Sequence, residues 1–178
     1  RYSTCWEDKD FPYLQSVRDT ANSGHLHQNA IANESFDFDQ WIRTSPEAFC
    51  NTNDSELLSQ VLNDYDCETP DFYRWKVEYS QAEIADLLKT KCEEDFGAIL
   101  DLKPIERGES GRIKKLRIIG EKKQFTIGKE LEIRRVLSNT HLYSSAFSVE
   151  LCDVQNGIPG KFILYGAGWG HGVGLCQI

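Results

Sequence analysis

Apolar and polar residues follow two clear patterns in the middle of the chain. From Phe72 to Tyr79 mostly charged residues alternate with apolar and aromatic residues such as Trp75. This is the period of a half-buried strand. Ser80 and Glu83 then match a capping box, in which each side chain accepts a hydrogen bond from the other residue's backbone amide. The pattern predicts a strand followed directly by a helix that ends near residue 92.

The remaining elements are short, and strands outnumber helices. A Gly- and Ser-rich turn at 107–111 separates two apolar stretches, which favours an antiparallel hairpin. The pattern predicts strands at 98–106, 112–120, 125–128, 146–154 and 161–165, a short helix at 129–137, and an earlier helix that starts at Asp54 or Ser55 and carries Leu57, Leu58, Val61 and Leu62. We expect an α+β fold with a mainly antiparallel sheet and a few short helices, in a single domain.

Charge and hydropathy narrow the classes of partner. The 178 residues carry 28 acidic and 20 basic side chains, a net charge of -8. A nucleic-acid binder needs a basic surface, so nucleic acid is not an expected partner. No apolar run approaches the roughly 20 residues that span a bilayer. A neutral glycan or a basic protein surface is compatible with this charge.

The cysteines and histidines suggest a disulfide and no metal. Six cysteines suit an oxidising compartment. The sequence contains no Cys-x-x-Cys pair, and this argues against a structural zinc site built from cysteines. Cys50 and Cys67 bracket a polar stretch, and we predict a disulfide between them, with buried free thiols as the alternative. His25 and His27 could supply two metal ligands, but a His-x-His in a polar loop is usually solvated. We expect neither a metal nor a cofactor.

Near residue 170, five glycines occupy every second position, and Trp169 and His171 lie between them. Glycine lets a backbone approach a ligand closely, while an indole offers a stacking face and an imidazole a polar group. These are the ingredients of a carbohydrate site. The alternative is a tight glycine-rich strand and turn in which Trp169 belongs to the core. The spacing matches neither the dinucleotide-binding nor the P-loop pattern, so no nucleotide site is expected.

The segment Gly168-Trp169-Gly170-His171-Gly172-Val173-Gly174-Leu175-Cys176-Gln177 resembles the Gly-His-Gly-Val-Gly-Met-Ser-Gln signature of the stage II sporulation protein D (SpoIID)/LytB "amidase enhancer" family. Further segments occur upstream in the family's order: Trp6 with Pro12-Tyr13-Leu14, Ser110-Gly111-Arg112, Arg134-Arg135-Val136-Leu137 and Ala146-Phe147-Ser148-Val149. Leu175 and Cys176 depart from the signature, where Met and Ser are usual. Residues 21–74 look like a family-variable insertion.

This resemblance implies a bacterial, extracytoplasmic protein of cell-wall remodelling. Some members are lytic transglycosylases that cleave glycan strands stripped of stem peptides, and others enhance N-acetylmuramoyl-L-alanine amidases. The chain is therefore expected either to bind and cleave peptidoglycan glycan strands, or to be a non-catalytic glycan-binding module that enhances such an amidase. The implied substrate-binding residues are Trp169, Gly170, His171, Gly172, Val173, Gly174 and Gln177.

The resemblance provides no catalytic residue for this chain. The family's proposed acid is a Glu in its N-terminal half, ahead of the point that matches Arg1, so we expect a C-terminal portion without that acid. Glu7, Glu34 and Glu150 match no family motif. A different enzyme class, a thiol hydrolase with Cys176 as nucleophile and His171 as base, would need these residues to meet although they are five positions apart on one loop.

Overall fold

The computed structural model describes residues 37–52, 54–61, 73–108 and 110–172. In chain order the helices are α1 (Phe38–Arg43), α2 (Ser55–Val61), α3 (Gln81–Cys92) and α4 (Glu130–Val136), and the strands are β1 (Arg74–Ser80), β2 (Ile99–Arg107), β3 (Ile113–Gly120), β4 (Gln124–Gly128), β5 (Phe147–Cys152) and β6 (Lys161–Ala167). The predicted α+β class, with mainly antiparallel strands and short helices, is confirmed.

The strands form two three-stranded antiparallel sheets. One has the order β1-β6-β5 and the other is the meander β2-β3-β4. In the first sheet, β1 and β6 pair from Arg74 opposite Ala167 to Ser80 opposite Lys161. This pairing joins segments about ninety positions apart, so the point where β6 ends lies beside the start of β1.

One hydrophobic core is shared by both sheets and by α3 and α4. Its buried members include Trp75 and Phe162 from the first sheet, Leu116 from the second, Leu88 from α3 and Ile133 from α4. The predicted capping box is present at the start of α3. Because it fixes where the helix begins, it sets which residues of α3 face this core.

Helix α1 lies within the stretch 21–74 that the sequence suggested as an insertion. Asp37 caps it by accepting a hydrogen bond from the Gln40 amide at 2.9 Å. Its Ile42 is buried in a small second cluster with Ala146 and Ala167. This part of the stretch therefore packs against β5 and β6 close to where β6 ends.

The predicted Cys50–Cys67 disulfide stays a prediction, because Cys67 lies outside the described residues. Cys92 and Cys152 are partly buried free thiols in the described structure. Burial raises the pKa of the Cys92 thiol above its ordinary value. Among the residues that the structure describes, no helix combines the length and apolar character needed to cross a bilayer.

Tyr79 is expected to make the stability of the fold fall at alkaline pH. Its hydroxyl donates to the Leu137 carbonyl at 2.5 Å, and burial raises its pKa to about 12. A tyrosine in the unfolded chain ionises near pH 10, so the folded protein retains the phenol proton to a higher pH than the unfolded chain does. The stability that the phenol contributes is complete below about pH 10 and is lost as pH rises towards 12. We expect wild type to lose more stability than Tyr79→Phe between about pH 8 and about pH 11, in urea denaturation of both proteins. Equal losses would contradict this assignment.

Candidate functional site

The glycine loop, residues 168–172, continues directly from the end of β6. Three hydrogen bonds fix its first half: the Gly168 amide donates to Tyr73 at 3.0 Å, the Gly170 amide donates to Tyr143 at 2.8 Å, and the Trp75 indole donates to the Gly168 carbonyl at 3.1 Å. The loop is therefore anchored to the start of β1 and to the segment that precedes β5.

Alternate residues of the loop have left-handed backbone. Gly168, Gly170 and Gly172 have φ values of 67°, 71° and 68°. Residues with a Cβ atom adopt this region only at a cost of roughly 1 kcal/mol or more. The glycine at every second position is thus explained by the backbone path, which carries Trp169 and His171 between the bends.

Trp169 and His171 are both exposed at the surface. The Trp169 residue is 41% exposed, and its ring meets Tyr143 edge-on with 5.4 Å between ring centroids. The alternative placement of Trp169 in the core is therefore wrong. An aromatic face and an imidazole occur together on a loop whose backbone is held in place.

Arg112 directly precedes β3, and its side chain lies against the glycine loop. Its Nε donates to the Gly170 carbonyl at 3.1 Å, and its Nη2 donates to the Trp169 carbonyl at 3.4 Å. A Cβ atom at Gly172 would lie 2.2 Å from Nη1, so any other residue there would displace the guanidinium. Burial lowers the pKa of the Arg112 guanidinium, and the charge of Glu130 opposes this shift.

Glu130, on the first turn of α4, is 1% exposed and completes a buried ionic cluster with Arg112 and Arg134. Its Oε1 lies 3.4 Å from Nη1 of Arg134. Burial raises the pKa of the Glu130 carboxyl, while the charges of Arg134, Arg112 and His171 oppose the shift. Arg134 also donates from Nε to the Leu142 carbonyl at 2.6 Å, which ties α4 to the segment under the loop.

Residues 1–174 match the family model described as "Domain of unknown function (DUF8618)". The chain belongs to this family. The matched region contains the whole glycine loop and the buried ionic cluster. No curated protein matches the chain.

Four of the site residues predicted from the sequence lie in the part of this DUF8618 chain that the structure describes. The structure places Trp169, Gly170, His171 and Gly172 together on the glycine loop. Val173, Gly174 and Gln177 lie outside the described residues, as do Cys176, Glu7, Glu34, His25 and His27. Glu150, on β5, is partly exposed, and its carboxylate pairs with Arg43 at 2.7 Å.

The buried ionic cluster was not predicted as a site. Arg112 and Arg134 occur in segments that carried the family resemblance, and this was the available signal. Glu130 had none, because a Glu in the first turn of a helix is favoured there by the helix dipole alone. Only the packing of α4 against the sheet that contains β3 brings Arg112, Glu130 and Arg134 together beside the glycine loop.

A cavity elsewhere in the DUF8618 fold is separate from the glycine loop. This cavity of about 280 Å³ is lined by Glu78, Tyr79, Ser80, Glu83, Asp153, Gly160 and Lys161. It lies at the opposite ends of β1 and β6, roughly 20 Å from the loop at about 3.3 Å per residue. The described residues contain no group of three or more His, Cys, Asp and Glu side chains suited to a metal ion.

Proposed function

We propose that the chain binds glycan strands of bacterial peptidoglycan through its glycine loop, in SpoIID/LytB-type remodelling of the cell wall outside the cytoplasm. The observation that carries this proposal is the joint exposure of Trp169 and His171 on a loop that Arg112 and backbone hydrogen bonds fix in place.

The chemistry of the loop suits a sugar chain. The axial C–H groups of a pyranose ring pack well on an indole face, and the edge contact with Tyr143 restricts the orientation of Trp169. The His171 imidazole can exchange hydrogen bonds with hydroxyl and acetamido groups. Because Gly170 and Gly172 have no side chains, a strand can approach the backbone between these two residues.

Binding is supported better than cleavage by the described residues. Breaking the MurNAc–GlcNAc bond needs a carboxylic acid that protonates the leaving oxygen, followed in a transglycosylase by attack of the sugar's own 6-hydroxyl. Burial raises the pKa of Glu130, which is the direction that a general acid requires, but the carboxyl is buried and pairs with Arg134. In this conformation it reaches no ligand on the surface.

The burial of Glu130 also favours a second candidate function. A non-catalytic module that enhances an N-acetylmuramoyl-L-alanine amidase needs the glycan site and no acid. The two candidates share the glycine loop and differ in turnover. Incubating the chain with denuded glycan strands and analysing the products for 1,6-anhydro ends tests cleavage by the chain itself. Release of such ends would favour the transglycosylase and contradict the expectation that the acid is absent from this chain.

Replacing Trp169 tests the glycan site directly. We expect Trp169→Ala to weaken binding of denuded glycan oligomers about fivefold or more, because a stacking contact contributes roughly 1 kcal/mol. Isothermal titration of wild type and variant measures this. Phe125→Ala is the matched control, since Phe125 is a 43% exposed aromatic residue on β4 in the other sheet. Equal affinity of wild type and Trp169→Ala would remove this residue from the site.

A further inference from the structure

Arg112 uses its hydrogen-bond donors unevenly. Its Nε and Nη2 donate to loop carbonyls, whereas Nη1 donates to no atom of the described residues. Gly172 lies directly against Nη1. A guanidinium carries five N–H donors in a planar fork, so this side of Arg112 retains capacity for an acceptor.

The charges around Arg112 are unbalanced. Arg112 and Arg134 share one neighbouring carboxylate, and Glu130 forms its ion pair with Arg134. Within the described part of the chain, Arg112 contacts carbonyl oxygens and no carboxylate. Two guanidinium groups beside one carboxylate leave an excess of positive charge in a partly buried place, and an arriving anion would reduce the cost of that excess. This positive site occurs in a protein whose net charge is -8.

Within the part of the chain that the structure describes, the glycines of the loop place no side chain between Arg112 and solvent. Gly172 is exposed, and a Cβ at Gly170 would meet nothing within 4 Å. No side chain at either position covers the guanidinium. Trp169 and His171 are the chain neighbours of these glycines, and the Trp169 carbonyl accepts a hydrogen bond from Arg112. A ligand on the loop would therefore lie on the same segment that Arg112 contacts.

We infer that Arg112 recognises the free carboxylate of the lactyl group on a MurNAc residue of a denuded glycan. This inference rests on the proposed function and adds the group that sets its specificity. Removing the stem peptide turns the lactyl amide into a carboxylate, which the guanidinium can bind with paired charge-assisted hydrogen bonds. A strand that still carries its peptides lacks that charge.

The test compares two forms of one ligand. Denuded glycan oligomers are used as they are and after conversion of their lactyl carboxylates to methylamides. Wild type should bind the carboxylate form about tenfold more tightly, as expected for a charge-assisted pair. Arg112→Gln should bring the ratio of the two affinities close to one. Arg112→Lys should give an intermediate ratio, because it retains the charge without the planar fork. Arg117→Gln, which removes an exposed arginine of β3, the strand that begins directly after Arg112, should leave the ratio unchanged.

The ratio of the affinities for the carboxylate and methylamide ligands distinguishes a ligand-binding Arg112 from an Arg112 that only supports the loop. A merely structural Arg112 would make Arg112→Gln weaken both ligands by the same factor, and that result overturns the inference. Equal binding of both ligands by wild type overturns it without using a variant, and leaves the proposed function standing. Failure of wild type to bind either ligand would instead remove the proposed function.

Discussion

Gly166→Ala is expected to destabilise the protein by about 3 kcal/mol or more. A Cβ atom at Gly166 would lie 2.0 Å from the Trp75 ring, whose residue is only 4% exposed. The indole would have to move away from Tyr143 and Phe147 and give up its hydrogen bond to Gly168. Overpacking costs roughly 1–3 kcal/mol, and the lost hydrogen bond about 1 kcal/mol more. Urea denaturation measures the change.

Gly157→Ala provides the control for the backbone effect. Gly157 has a φ of 80° in the turn between β5 and β6, and a Cβ there meets nothing within 4 Å. We expect a cost of roughly 1 kcal/mol from the left-handed backbone alone. If Gly166→Ala costs no more than this, Trp75 does not pack over β6 as the structure shows.

Gly172→Ala is expected to weaken glycan binding about tenfold more than Gly170→Ala does. The two glycines have φ values of 68° and 71°, so alanine imposes similar backbone strain at both. Only at Gly172 does the new Cβ collide with the Arg112 guanidinium, which fixes the loop carbonyls. Displacing Arg112 removes two hydrogen bonds from the loop, each contributing about 1 kcal/mol.

Both variants are compared by isothermal titration with denuded glycan oligomers and by urea denaturation. Gly172→Ala should also have the lower free energy of unfolding, because displacing Arg112 removes hydrogen bonds of the folded loop that Gly170→Ala retains. Equal affinities of Gly170→Ala and Gly172→Ala would show that the contact with Arg112 does not shape the binding loop.

Local signals in the sequence predicted the elements but not their arrangement. The alternation ending at Tyr79, the capping box and the turn at 107–111 each act over a few residues, and β1, α3 and the β2–β3 hairpin form where they predict. The division into two sheets depends on β1 pairing with β6, which no local pattern specifies. Helix α1 was missed because its six residues carry too little periodicity to stand out.

The sequence likewise marked only part of the candidate site. Alternating glycines around Trp169 and His171 mark the loop, because the backbone conformation requires a specific residue type. The buried ionic cluster is assembled from β3 and α4, and its members look ordinary in their own segments. Glu130 in particular becomes notable only when the fold buries it beside two arginines.

Hydrogen exchange of the chain with and without denuded glycan oligomers tests the central claim most directly. If the glycine loop binds the strand, amides in peptides covering residues 166–172 should exchange more slowly with saturating glycan. Peptides at the opposite end of the sheet, around Ser80 and Lys161, should be unaffected. A maltooligosaccharide of the same length, which lacks acetamido and lactyl groups, should leave the loop unchanged. Unaltered exchange across 166–172 at saturating glycan, or equal slowing by the maltooligosaccharide, would contradict the proposed function.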